Sequence, residues 1–375
     1  MRKPLLKLAS LAIAVCLSTG ALAQDVVVRV GHAGPLSGPS ANSGKDNERG
    51  VQLAINELNA SDFRVAGKRV KFELMSEDDQ GDPRTGVSVA QKFADQKVSF
   101  VLGHYNSGVS IPASRVYNDA GIPVITGASS NPQLTKQGYK NVFRLAANDN
   151  VMGASIAKYA AAHGVKTVAV IDDRTAYGQG VVEVFLKTAA ELKLKVVGQE
   201  FTTDKATDFT PILTKLRGEK PDAIFYGGYY AQAGIMARQM KQLGLTSMLI
   251  GGDGICAASV LPLGATVLEG KFFCAQGGAA LASRPGGPEF SEKFRKAFNA
   301  EIDVYAPAFY VATMAAARAM QDAGSTDPKA ITPALAKINM DSMLGPVKFD
   351  ASGEWINPPV TIYNIAGGKL APVAN

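Results

Sequence analysis

The sequence predicts an α/β fold made of two doubly wound lobes. Short β-branched runs alternate with amphipathic helical stretches along the chain, and glycines fall where the helices should stop. The chain is 375 residues long, more than one hydrophobic core comfortably serves. Alternation of this kind makes a parallel sheet with helices on both faces.

The first segment is set apart from the rest. Arg2, Lys3 and Lys7 precede an apolar run over residues 8–17, and Ala21-Leu22-Ala23 puts small residues where a signal peptidase reads. This layout predicts a signal peptide over residues 1–23, cleaved after Ala23, and a periplasmic destination. The apolar run is short for a membrane anchor of about 20 residues. A lipoprotein reading of Cys16 is opposed by Val15, which stands where a small residue is needed.

In the first series, a strand at 26–30 leads through a glycine-rich turn to a helix at 45–59, with Val51, Ala54, Ile55 and Leu58 on one face. A strand at 70–74 follows, then a helix opened by Pro83 and running to 96. A strand at 98–102, a helix at 109–120 and a strand at 123–126 complete the series. The second series alternates helices at 149–163, 178–192, 208–218 and 231–243 with strands at 167–171, 195–200, 223–226 and 248–250. Gly164, Gly218 and Gly244 mark helix ends. Helices at 289–300 and 307–323, after a strand at 271–274, are expected to return to the first lobe.

Residues 1–23 hold three basic and no acidic side chains, so the formal charge of +6 becomes +3 once they are removed. Lys and Arg are scattered, which argues against a nucleic-acid partner. Cys256 and Cys274 remain after cleavage. In an oxidising compartment they can pair, for about 3 kcal/mol in the chain-entropy model, or stay as two buried thiols. His32, His104 and His163 are dispersed and give no metal-ligand spacing. No cofactor is expected, and His32 and His104 suit structural roles beside strand-end glycines.

Ligands of open α/β sheets gather outside the carboxyl ends of the strands. The loops there carry no enzyme signature. Residues 38–46 (GPSANSGKD) have one residue too many between the glycines for a phosphate loop, and Asp46 stands where Ser or Thr should be. No G-x-G-x-x-G follows the first strand, and there is no G-x-S-x-G or H-E-x-x-H. The acid pairs Asp78-Asp79 and Asp172-Asp173 are expected to be solvated caps.

What remains is a set of hydroxyls, one acid and several tyrosines. Ser107 precedes a helix start whose free N–H groups would suit a carboxylate. Ser129 and Ser130 follow the strand ending at Thr126 and could add hydroxyl and N–H donors. Plain helix capping accounts for these serines equally well. Asp253, in Gly251-Gly252-Asp253-Gly254, could pair with an ammonium group or bond its own turn. Tyr105, Tyr177, Tyr229 and Tyr305 occupy strand-end or helix-start positions suited to closing a pocket over a small ligand. Tyr226 reads as core.

On these residues the chain resembles the leucine/isoleucine/valine-binding proteins, type I periplasmic binding proteins, over essentially its whole mature length. The matching pieces are residues 34–39 (GPLSGP), Asp78-Asp79 with Asp82-Pro83, Gly103-His104 with Ser107, and Pro112-Ala113-Ser114. Gly121-Ile122-Pro123, Ala128-Ser129-Ser130, Tyr177-Gly178, Tyr226-Gly227-Gly228-Tyr229 and Gly345-Pro346 continue the series. The resemblance implies two Rossmann-like lobes joined by three crossover strands near 147, 276 and 347. Lobe 1 would hold 24–147 and 277–346, and lobe 2 would hold 148–276 and 347–375. It also implies a non-enzymatic role: capture of an α-amino acid, branched-chain by family, for an ABC importer whose permease and ATPase are separate subunits.

The resemblance further implies that Ser107 and the Ser130 N–H bind the ligand carboxylate. The Ala128 carbonyl, the Ser130 hydroxyl and Asp253 would take the ammonium. Tyr177, Tyr229 and Tyr305 would line the second lobe's face and the side-chain pocket. Departures from the family pattern make the pocket more polar. Ser43 stands for a tyrosine, Tyr105 for a leucine, and Asn106 for a cysteine whose disulfide partner aligns with Gly81. An amide, a polar amino acid or an aromatic carboxylate is therefore the competing ligand class, with a hydrolase a distant third reading.

Overall fold

The computed structural model describes residues 25–373; the expected signal segment and its cleavage site lie outside the described residues. The first sheet contains β1 (Val26–Gly34), β2 (Arg64–Val65), β3 (Lys68–Asp78), β4 (Phe100–Gly103), β5 (Val124–Thr126) and β6 (Val142–Arg144). Its helices are α1 (Ala41–Ala60), α2 (Pro83–Asp95), α3 (Ser107–Ala120) and α4 (Gln133–Lys136). Strand β1 outruns the expected 26–30 because Gly31 to Gly34 stay buried and paired with β3. His32 is tolerated there with Nδ1 3.0 Å from the Ser76 hydroxyl.

The second sheet is fed by α5 (Asp149–Ala162), β7 (Thr167–Asp172), α6 (Ala176–Glu191), β8 (Lys195–Phe201), α7 (Thr210–Glu219), β9 (Ala223–Gly227), α8 (Tyr230–Gln242), β10 (Met248–Gly251) and β11 (Phe272–Gly277). Three helices follow, α9 (Gly287–Phe298), α10 (Ala306–Ala323) and α11 (Pro328–Leu335). The chain closes with β12 (Val360–Ala366) and β13 (Lys369–Pro372), which join the second sheet. Helix α10 packs along α1 and α11 packs on α10, so this late helical layer sits against the first sheet.

Strand order is β2-β3-β1-β4-β5-β6 in one sheet and β13-β12-β11-β10-β9-β7-β8 in the other. In the first sheet β1 is flanked by β3 and β4, and in the second β7 is flanked by β8 and β9. Each sheet thus has a point where successive connections run to opposite sides, the place where a crevice opens. The expectation of purely parallel sheets needs correcting. β2 and β3 are antiparallel, as are β11, β12 and β13. The links β2–β3 and β12–β13 are two-residue turns, Ala66-Gly67 and Gly367-Gly368, with positive φ at every position. Such turns join only antiparallel neighbours.

The face Val51, Ala54, Ile55 and Leu58 of α1 is buried as the spacing predicts. Each large side chain there contributes roughly 1.5–3 kcal/mol on burial. Cys256 and Cys274, left open between two states by the sequence, are joined in a disulfide with their Cα atoms 5.4 Å apart. It ties the loop after β10 to β11.

Candidate ligand-binding site

The loops after β4 and β5, those after β7, β9 and β10, and the start of α10 converge on a cavity between the sheets. It is small and lined by Tyr105, Ser107, Ala128, Ser130, Tyr177, Tyr229, Asp253, Gly254 and Tyr305. Every one of the sequence-predicted site residues is therefore brought here except Ser129 and Asn106.

On the first lobe, Ser107 opens α3, and its hydroxyl accepts the Asn131 N–H at 3.2 Å. Thr126 at the end of β5 shapes the loop beyond it: Oγ1 accepts the N–H groups of Ala128 (3.1 Å) and Ser129 (2.9 Å) and donates to the His104 carbonyl (2.9 Å). Ser130 is buried with a hydroxyl that has no partner among the described residues.

Ser129 is a correction. Its hydroxyl is turned away from the cavity onto the carbonyls of His104 (3.0 Å) and Tyr105 (3.1 Å) and the Ser110 hydroxyl. A side chain so engaged holds the loop and is not free for a ligand. Asn106 precedes α3 without capping it, and a Cβ built on Gly81 would lie 3.1 Å from its Oδ1. The two positions face each other as the family disulfide would require, but neither carries sulfur.

On the second lobe, Asp253 sits in a turn of 3-10 helix after β10. Gly254 allows the approach, since a Cβ there would come within 2.5 Å of the Gly228 carbonyl and of the Tyr177 ring. Tyr177 OH accepts the Gly254 N–H at 2.9 Å. Asp253 Oδ2 accepts the Tyr305 hydroxyl at 2.9 Å, while Oδ1 has no partner among the described residues. Burial pushes the Asp253 carboxyl up to about 6, against the pull of the Tyr177 and Tyr305 hydroxyls. Tyr105 packs with its ring centroid 5.7 Å from Tyr229 and 5.5 Å from Tyr305, and Tyr177 lies 5.1 Å from Tyr229. Tyr305 comes from the start of α10, so it faces the second lobe from the first; the expectation that it belongs to the second lobe's face is corrected. Ser43 does not shape the wall directly, because its hydroxyl donates to Asp303 at 2.8 Å.

Three residues that the sequence reading missed organise the base of the site. Arg144, fully buried at the end of β6, donates to the carbonyls of Ser129 (2.7 Å) and Asn131 (2.9 Å) and to Glu354 (2.5 Å). Its signal was an arginine inside the apolar run 142–147, where a buried cation needs a buried acid. Glu354 lay in a stretch with no periodicity. Asp149 opens α5, fully buried, with neither oxygen partnered among the described residues.

The acid pairs at strand ends are also corrected: Asp79, Asp172 and Asp173 are buried. Asp79 Oδ2 accepts from His104 Nδ1 at 2.7 Å, and His104 Nε2 lies 3.0 Å from the Tyr117 hydroxyl. Asp173 Oδ1 accepts the Thr175 N–H and hydroxyl. These acids stitch loops together, which is why they are not solvated. The site therefore presents a helix start and hydroxyls on one side, a buried carboxylate on the other, and tyrosine rings between them.

Comparison with known proteins places this arrangement. The family described as "Periplasmic binding protein" matches residues 27–369. A Leu/Ile/Val-binding protein homolog of Brucella suis is 34% identical over 365 residues, covering 97% of this chain and 96% of the relative. The chain belongs to the Leu/Ile/Val-binding family of periplasmic binding proteins. The crystal structure of a leucine binding protein from Thermotoga maritima superposes with a TM-score of 0.85 at 27% identity, covering 92% of this chain and 98% of the other. A branched-chain amino acid transporter substrate binding protein from Streptococcus pneumoniae, solved with isoleucine, gives 0.85 at 25% identity, with coverage of 92% and 98%. This periplasmic binding protein thus shares the two-lobed fold of solute-binding proteins, and its cavity lies between the two sheets.

Proposed function

We propose that this periplasmic binding protein captures an α-amino acid, branched-chain by preference, between its lobes and delivers it to an ABC importer's permease and ATPase. One observation carries the reading. The unpartnered Asp253 oxygen faces a cavity whose opposite side is the α3 start with Ser107 and Ser130. Burying a zwitterion without partners costs several kcal/mol per charge, so both ends need fixed groups. Ser107 and the Ser130 N–H serve the carboxylate; the Ala128 carbonyl, the Ser130 hydroxyl and Asp253 serve the ammonium. The tyrosines cover the side chain.

Because the groups come from both lobes, ligand favours the closed state by differential affinity, which is hinge closure. The lobes divide as 24–147 plus 277–346 and 148–276 plus 347–375. Export to the periplasm follows from the segment 1–23, cleaved after Ala23. Tyr105 favours a smaller or more polar ligand within the same class.

Calorimetry against leucine, isoleucine, valine, the polar amino acids, simple amides and benzoates decides between these ligands. Asp253→Ala should weaken amino-acid binding by at least about a hundredfold, the cost of leaving a buried ammonium unpaired. Wild-type affinity in that variant would remove the ammonium assignment.

A further inference from the structure

Asp149 lies behind Ser130, outside the groups assigned to the ligand. Its backbone N–H donates to the Ser130 carbonyl at 2.9 Å. Its carboxylate is within reach of the Ser130 hydroxyl. That hydroxyl and both Asp149 oxygens are buried with no partner that meets hydrogen-bond geometry among the described residues. The charged groups around it are Arg144 on β6, Glu354 ahead of β12, and Asp253 after β10. The titratable hydroxyls of Tyr177 on α6 and Tyr229 ahead of α8 also feel its charge. Arg144, the buried cation of this group, is spent on Glu354 and two carbonyls. Asp253 on the cavity wall and Asp149 behind Ser130 are thus two buried acids close enough to feel each other's charge, and the buried Arg144 of this group is already engaged elsewhere.

We propose that Asp149 is the proton store of the site: it positions the Ser130 hydroxyl and gives up its proton as the ligand's ammonium group arrives, so that capture releases a proton. The inference rests on the amino-acid reading above. Two carboxylates in one low-dielectric site resist ionising together, and the ammonium supplies the missing charge. The Asp149 O–H bond breaks and the proton passes to solvent buffer. Ser130 O–H then donates to the carboxylate and turns a lone pair to the ammonium. The sign agrees: burial, then the Asp253 charge, pushes Asp149 up to about 8, so the free protein holds this proton at neutral pH.

The test is calorimetric titration with leucine, isoleucine and valine at pH 7 in phosphate and in Tris, whose ionisation enthalpies differ. Wild-type protein should release about one proton per ligand bound. In Asp149→Asn the release should fall to near zero and the pH dependence of affinity between pH 6 and 9 should flatten. Ser130→Ala should weaken binding while the release persists. Heats independent of buffer in the wild type, a measurement that needs no variant, overturn the proposal. Full release in Asp149→Asn does the same. Absence of binding by any amino acid sinks the functional reading itself, whereas binding without release sinks only this inference.

Discussion

Under the proposed reading, Asp253 pulls stability and ligand binding in opposite directions. Its carboxyl rises from an ordinary 3.8 to about 6 on folding, because burial penalises the charged form more than two phenols repay it. A folded state that holds its proton more tightly than the unfolded chain is favoured below pH 4. It loses that advantage as pH rises from about 4 through 6, a penalty of roughly 2–3 kcal/mol once complete. Asp253→Asn cannot ionise. Its ligand-free form should therefore melt above the wild type at pH 8, with the gap closing towards pH 4, while its ligand-induced thermal shift disappears. Parallel melting curves at both pH values would mean that the carboxylate is compensated by a partner other than the ligand.

At the scale of elements, the β6–α5 junction shows what the sequence could and could not disclose. The alternation of apolar runs with helical stretches made every strand from β3 to β11 except β6 legible. β4, β5 and β9 are buried on both faces and write a continuous hydrophobic signal, while the more exposed β3 and β8 were read from their β-branched and alternating apolar residues. Strand β6 is only three residues long and ends on Arg144, and the half-buried β12 and β13 follow a stretch without periodicity, so none of the three was read from the sequence. Site residues on glycine-rich strand ends, Ser107 and Asp253 among them, stood out by position. Arg144 and Glu354 did not, because their pairing joins residues 210 apart in sequence, and only the fold brings them together. Removing Glu354 leaves Arg144 buried and unpaired, which typically costs about 3–5 kcal/mol. Glu354→Ala should lower the melting temperature by several degrees. It should also weaken ligand binding, since Arg144 holds the carbonyls on either side of Ser130. A variant that melts with the wild type would show that Arg144 finds water or another acceptor.

For the whole molecule, the proposed closure would draw on contacts that span the lobes without touching the cavity. Asp303, in the loop that α1 clamps through Asp46, is the densest of these. Asp46 accepts the N–H groups of Asp303, Val304, Tyr305 and Ala306 at 2.8–3.0 Å. Asp303 in turn accepts the Ser259 N–H at 2.7 Å through Oδ1 and the Ala258 N–H at 3.1 Å through its carbonyl, both from the second lobe. The Asn131 side chain adds a bond to the Ala176 carbonyl at 2.6 Å from the other end of the cleft. If binding and closure are one equilibrium, apparent affinity scales with the closed fraction, whatever the ligand touches. Asp303→Ala removes a charge-assisted bond worth about 1.5–3 kcal/mol. It should weaken capture by tenfold or more, mostly through faster release, and should enlarge the radius of gyration measured by small-angle scattering at subsaturating ligand. The Tyr305–Asp253 bond remains available in that variant, so ligand contacts persist while the closed state loses support. Release at the wild-type rate would assign closure to Tyr305, Asn131 and the packed tyrosines, with Asp303 serving only to shape its own loop.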